Sequence, residues 1–161
     1  MLSKTRLSCD ELMSTVAERL DEVVDDFVDL DGREKLEMLL EYAATLPPLP
    51  PGHAGLDENR VHECQSPVFI EVDLRPAENG QPGVYLQAEV AEEAPTVRGF
   101  VAVLAKAFAG RPADEVLAVD DTLLDRLGLA DVLGMLRTRG LRAIIEYVKR
   151  GVVRRLAADE G

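Results

Sequence analysis

Apolar residues recur at three- and four-residue spacing over residues 10–29, where Leu12, Val16, Leu20, Val23, Val24 and Phe27 share one side and acids fill the other. That period predicts a helix with one buried stripe. Asp31-Gly32 interrupts it, and a second helix over about 32–45 carries Leu36, Leu39, Leu40 and Ala43 on one side. The run Thr45-Leu46-Pro47-Pro48-Leu49-Pro50-Pro51-Gly52 then forbids helix, because proline lacks the amide donor and restricts the residue before it. Its Pro48-x-x-Pro51 spacing fits an SH3-type ligand, but within a domain such a run more often serves as a stiff spacer.

The period then changes from helical to two. Val68, Ile70, Val72 and Leu74 alternate with Phe69, Glu71 and Asp73, and Val84, Leu86, Ala88 and Val90 alternate with Tyr85, Gln87 and Glu89. Asn79-Gly80 and Pro82-Gly83 stand between the two runs, which predicts a hairpin. Pro95 suits the first turn of a helix reaching about Gly110, with Val97, Phe100, Val101, Leu104 and Phe108 as its stripe. Its remaining residues are largely Ala and Val, so this is the expected central helix on the sheet. Short helices are expected at about 112–118 and 121–127. A last helix over about 138–157 buries Leu141, Ile144, Ile145, Val148, Val152 and Leu156. The sum is an α+β fold, a small antiparallel sheet packed against helices. At 161 residues it forms one domain, residues 1–161, with residues 1–9 expected as a flexible N-terminus.

Net charge changes the picture more than composition does. At −12 it argues against a nucleic-acid partner, since that affinity rests on neutralising phosphates with Lys and Arg. Residues 10–41 are strongly acidic, whereas residues 137–155 carry Arg137, Arg139, Arg142, Lys149, Arg150, Arg154 and Arg155 against Glu146 alone. Such asymmetry steers a protein partner, or simply reflects two solvated faces that attract each other within the fold. No run nears the roughly 18 apolar residues that cross a bilayer, and the first residues lack the apolar centre of a signal peptide. No membrane and a cytoplasmic location are expected.

Only Cys9 and Cys64 carry thiols. That is no disulfide framework, and without Cys-x-x-Cys no metal site is expected; His62-x-Cys64 would need His53 and Cys9 to converge from distant segments. Two histidines in one stretch support no catalytic triad, and no glycine-rich phosphate loop occurs. An isolated cysteine is most often a small buried hydrophobe. Cys64 differs in its polar neighbours His62, Glu63, Gln65 and Ser66, in Pro67, which restrains Ser66, and in the strand that follows at once. A thiol acts as a nucleophile only when ionised, and a free cysteine has a pKa of about 8.5. Glu63 opposes that ionisation. His62 when protonated, or Arg98 or Arg137 from elsewhere, would offset it; the ordinary reading of each arginine is a solvated surface charge. Pro67 and the apolar face behind the turn predict a thiol partly or wholly buried at rest.

Cys64-Gln65-Ser66, followed within three residues by an aromatic and a strand, resembles the SufE family. The similarity runs from about residue 20 to 157. It includes the paired first helices, Leu46-Pro47-Pro48-Leu49-Pro50, the Val97-Arg98-Gly99 step opening the central helix, and Arg137-Thr138-Arg139-Gly140-Leu141 opening the last. Glu63 stands where the family commonly has Gly, Pro67 where proline is unusual, and Phe69 where Trp is frequent. The resemblance implies a fold shared with IscU-type scaffolds and Cys64 as a persulfide carrier. It also places Glu93 where the family often has an acid near the cysteine loop.

The implied function is sulfur acceptance: persulfide sulfur is taken from a SufS-like cysteine desulfurase onto Cys64 and passed to a SufB-like iron–sulfur scaffold. Pyridoxal phosphate belongs to the desulfurase, and this chain is expected to need no cofactor of its own. A non-catalytic regulator that binds the desulfurase, and a redox sensor that uses Cys64, are the alternatives.

Overall fold

The computed structural model describes residues 14–53, 55–64, 66–76 and 81–160. Thr15 caps the first helix, α1 (Val16–Val28), by accepting from the Glu18 amide at 3.1 Å, and Val16, Leu20, Val23 and Phe27 form its buried stripe. Leu12 and the start of the predicted helix lie outside the described residues. Asp31 and Glu34 close a reciprocal cap on α2 (Gly32–Ala43), at 2.8 and 3.2 Å. Two orphan amides of the first turn are thereby satisfied. The proline run is extended, and its Pro47 carbonyl accepts the Ala88 amide at 2.9 Å.

Strands β1 (Val68–Pro76) and β2 (Pro82–Val90) form the hairpin with Val68 opposite Val90 and Val72 opposite Leu86. The turn expected at Asn79-Gly80 lies outside the described residues. Alternation sends Val68, Ile70, Val72, Val84, Leu86, Ala88 and Val90 to the buried face. A third strand, β3 (Arg111–Pro112), pairs with Gly83 and Val84 to give the order β1-β2-β3. Two residues carry no readable period, so the sequence shows no sign of it.

Helix α3 (Pro95–Phe108) begins on its proline and is buried nearly all round, covering β2. A hydrophobic perimeter of this kind marks a helix enclosed by other elements. Gly99 permits its contact with α2, since a Cβ there would stand 2.1 Å from the Leu39 carbonyl oxygen. Arg19 from α1 donates to the carbonyls of Ala107 (3.1 Å) and Ala109 (2.9 Å), closing the far end of α3. Short helices α4 (Ala113–Leu117) and α5 (Thr122–Leu127) follow.

The last helix, α6 (Ala130–Glu160), starts well before the predicted residue 138. Gly134 (φ 81°, ψ 169°) splits it into one opening turn and a long helix. Two glycines within seven residues lower helix propensity, which hid this opening from the apolar period. Leu141, Ile144, Ile145, Val148 and Val152 lie against the core, and the helix crosses β1. Among the described residues the basic side chains of α6 form no ion pair with α1 or α2: Arg142 meets Asp121 (3.5 Å), Arg150 meets Glu63 (3.8 Å) and Arg155 meets Glu71 (3.7 Å).

Candidate functional site

The segment before β1 folds back on it. Val61 donates its amide to the Val68 carbonyl at 2.8 Å, Arg60 bridges to Phe69, and the Ala91 amide reaches the Pro67 carbonyl at 3.0 Å. The Cys64 amide donates to the Val61 carbonyl at 3.3 Å, closing a turn across residues 61–64. Both sides of the cysteine loop are thus stitched to the hairpin. The thiol itself turns inward, half-buried, with its Sγ 3.7 Å from the Gly140 carbonyl oxygen. Cys64 is the one free cysteine among the described residues.

A pocket of about 120 Å³ opens in front of the sulfur. Glu63, Cys64, Ser66 and Val68 form one wall, and Glu93, Ala94, Thr96 and Val97, where β2 turns into α3, form the second. Leu136, Arg137 and Gly140 of α6 close the third. Three segments distant in the chain meet there. Burial, and then the neighbouring Glu63 charge, push the thiol from 9.0 up to about 11. In this resting arrangement Cys64 is protonated at neutral pH and a poor nucleophile.

The residues expected around the cysteine divide into two groups. Glu63, Ser66, Glu93 and Arg137 line the pocket; Glu63, Glu93 and Arg137 are exposed. His62 is exposed, stands 4.0 Å from Asp57, and is not in the pocket lining. Arg98 is also outside the lining. It donates from Nη2 to the Val90 carbonyl at 3.0 Å, and its buried Nε has no partner among the described residues. This explains a cation in the first turn of α3, where the helix dipole disfavours it: its role there is to tie α3 to the end of β2. Gln65 lies outside the described residues. Val97, Arg98 and Gly99 therefore serve pocket wall, strand tie and helix contact in turn.

Sequence reasoning did not assign Leu136 or the part played by Gly140. A glycine inside an apolar-periodic helix is the signal that marks a close approach. Here it leaves the backbone carbonyl open to the thiol, and a Cβ would lie 3.7 Å from Sγ. Among the described residues no group of three or more His, Cys, Asp or Glu is arranged to hold a metal, and no helix is long and apolar enough to cross a membrane.

Comparison with known proteins places the chain in a family. Residues 21–152 match the SufE family, described as an Fe-S metabolism associated domain. The chain belongs to the SufE family. An uncharacterized SufE-like protein of Mycobacterium tuberculosis is 41% identical over 131 residues, covering 81% of this chain and 89% of the relative. A SufE-like protein of Rhizobium etli is 31% identical over 142 residues, covering 86% and 93%. The solution structure of a hypothetical protein from Thermus thermophilus has the same fold, with a TM-score of 0.73 and 34% identity, covering 86% of this chain and 96% of that one. As a SufE-family protein the chain has a role in iron–sulfur metabolism.

Proposed function

We propose that this SufE-family protein is a cytoplasmic sulfur acceptor whose working group is the Cys64 thiol. The observation that carries the reading is the position of that thiol, on a loop pinned to a rigid hairpin and facing a small pocket built by three segments. A pyridoxal-phosphate desulfurase of the SufS type supplies a persulfide on its own cysteine, so this chain needs no cofactor. The Cys64 thiolate attacks the outer sulfur of that persulfide. A new S–S bond forms at Cys64, the donor's S–S bond breaks, and the donor leaves as thiolate; sulfur moves with no net electron transfer. The proton released by Cys64 returns to the donor thiolate through solvent. A SufB-like scaffold then takes the sulfur by the same exchange.

Arg137 is the cation on the pocket wall best placed to favour thiolate over thiol, against Glu63 and burial. Because the resting thiol is held protonated, partner docking has to open the loop for both access and ionisation. Alkylation by iodoacetamide is accordingly slow in the free protein and faster beside a catalytically inactive desulfurase. Intact mass after incubation with active desulfurase and cysteine tests the transfer itself. Wild type and Cys9→Ser gain sulfur, and Cys64→Ser does not. Undiminished labelling of Cys64→Ser rejects the assignment, and an inert Cys64 in a chain that still binds the desulfurase points to a regulator instead.

A further inference from the structure

The two most exposed large apolar side chains among the described residues are neighbours, Met135 at 83% and Leu136 at 66%. Isolated apolar residues on a surface are ordinary, but an adjacent pair beside a reactive group is not. Gly134 is the cause of their position. Its positive φ, a conformation that glycine tolerates, ends the opening turn of α6 and restarts the helix at Met135. The buried Thr138 hydroxyl donates to the Gly134 carbonyl at 2.7 Å and fixes that break. Leu136 and Arg137 then continue directly into the wall of the Cys64 pocket.

Charge around the pair is unbalanced. Arg142, Arg150 and Arg155 are engaged with carboxylates, whereas Arg137 and Arg139 are exposed and have no ion pair among the described residues. The patch is therefore an apolar tip with a basic border on one lip of the pocket. The other two walls carry exposed carboxylates, Glu93 and Glu63, of which Glu63 is paired with Arg150 at 3.8 Å.

From this arrangement we infer that Met135 and Leu136 are the docking anchor for the protein that delivers sulfur. That partner presents an apolar recess with an acidic border beside its sulfur-bearing cysteine. The apolar tip contributes affinity on burial, and the basic border of Arg137 and Arg139, with Glu93 across the pocket, sets the orientation. Leu136 is shared by the patch and the pocket, so seating it in a partner displaces one wall of the Cys64 site. This inference rests on the sulfur-acceptor reading for the identity of the partner.

The test is the affinity of the full chain for a catalytically inactive cysteine desulfurase, with sulfur loading of wild-type Cys64 by the active enzyme measured in parallel. Met135→Ser and Leu136→Ser each weaken binding by about tenfold or more, the effect of removing a central apolar anchor. Leu136→Met keeps most of the affinity, and Val153→Ser, which removes an exposed apolar residue elsewhere on α6, leaves it unchanged. Should Leu136→Ser unfold, Met135→Ser still decides, since so exposed a side chain contributes little to the fold. Wild-type affinity in Met135→Ser, with wild-type Cys64 loading normally, overturns the anchor and leaves the acceptor reading standing. Weakened binding by the Ser variants, with no loading of wild type, supports the anchor and overturns the acceptor reading. A wild type that neither binds nor loads overturns both.

Discussion

Gly140 and Gly151 lie on the same side of α6, about three turns apart, and each leaves a gap where a side chain would stand. At Gly151 the gap is filled by β1: an added Cβ would meet Val72 Cγ2 at 2.7 Å. Arg155 donates to the Val72 carbonyl at 2.9 Å, and the Tyr147 hydroxyl reaches the Ile70 carbonyl at 3.4 Å, so this part of the helix is clamped to the sheet. At Gly140 the neighbour is the Cys64 sulfur at 3.7 Å, an ordinary contact with the open pocket alongside. One helix thus uses the same residue type for two purposes. Toward its C-terminal end glycine permits close packing, and toward its start glycine leaves space beside a thiol. A missing side chain is read only through what faces it.

Gly151→Ala has the largest expected effect. Overpacking against Val72 costs about 1–3 kcal/mol, and better helix propensity returns about 1 kcal/mol. A net loss of up to about 2 kcal/mol in denaturant unfolding is expected, with sulfur loading of the folded protein retained. A gain of about 1 kcal/mol, the helix-propensity contribution alone, would mean that the helix lifts freely from β1.

Arg137→Ala follows, with its effect on the site end alone. A charge on the wall of a solvent-open pocket contributes on the order of 1 kcal/mol, so sulfur transfer slows about five- to tenfold. Stability stays within about 0.5 kcal/mol, as at most exposed positions. Normal transfer with a strongly lowered melting temperature would make the arginine structural.

Gly140→Ala should separate the two properties with opposite signs. Helix propensity raises stability by up to about 1 kcal/mol, because nothing nearer than the Cys64 sulfur obstructs the methyl group. The same methyl occupies space that a second sulfur on Cys64 would use, so loading slows by a few-fold. A variant that is both more stable and equally fast would remove Gly140 from the site.

The smallest effect is the pH dependence of stability. The fold raises the Cys64 pKa, so the folded state favours the protonated thiol. The stabilising contribution is full below 9.0 and is lost as pH rises toward about 11, where the unfolded thiol has already ionised. Cys64→Ser should therefore show a shallower fall in stability across that window. Identical slopes for wild type and variant would show that the thiol is not held back by the fold.

Much of this molecule follows from the order of its residues. The period of two in β1 and β2, the proline that opens α3, and the apolar stripes of α1 and α6 are local patterns, and each specifies its element because burial of one face drives its formation. The Cys64 turn is legible for the same reason, since Pro67 and the strand behind it are its sequence neighbours. Tertiary structure alone decided which distant groups reach the sulfur. Arg98 and Arg137 are equivalent as cations in the sequence. One is drawn to the Val90 carbonyl, where a strand end leaves an acceptor, and the other remains on the pocket wall. Gly134 likewise reads as a weak spot in a helix until its positive φ is seen to precede an exposed Met135 and a Leu136 on the wall of the thiol pocket. Such pairings join residues that are far apart in the chain, and their geometry is set by how helices settle on a sheet, which no local period records.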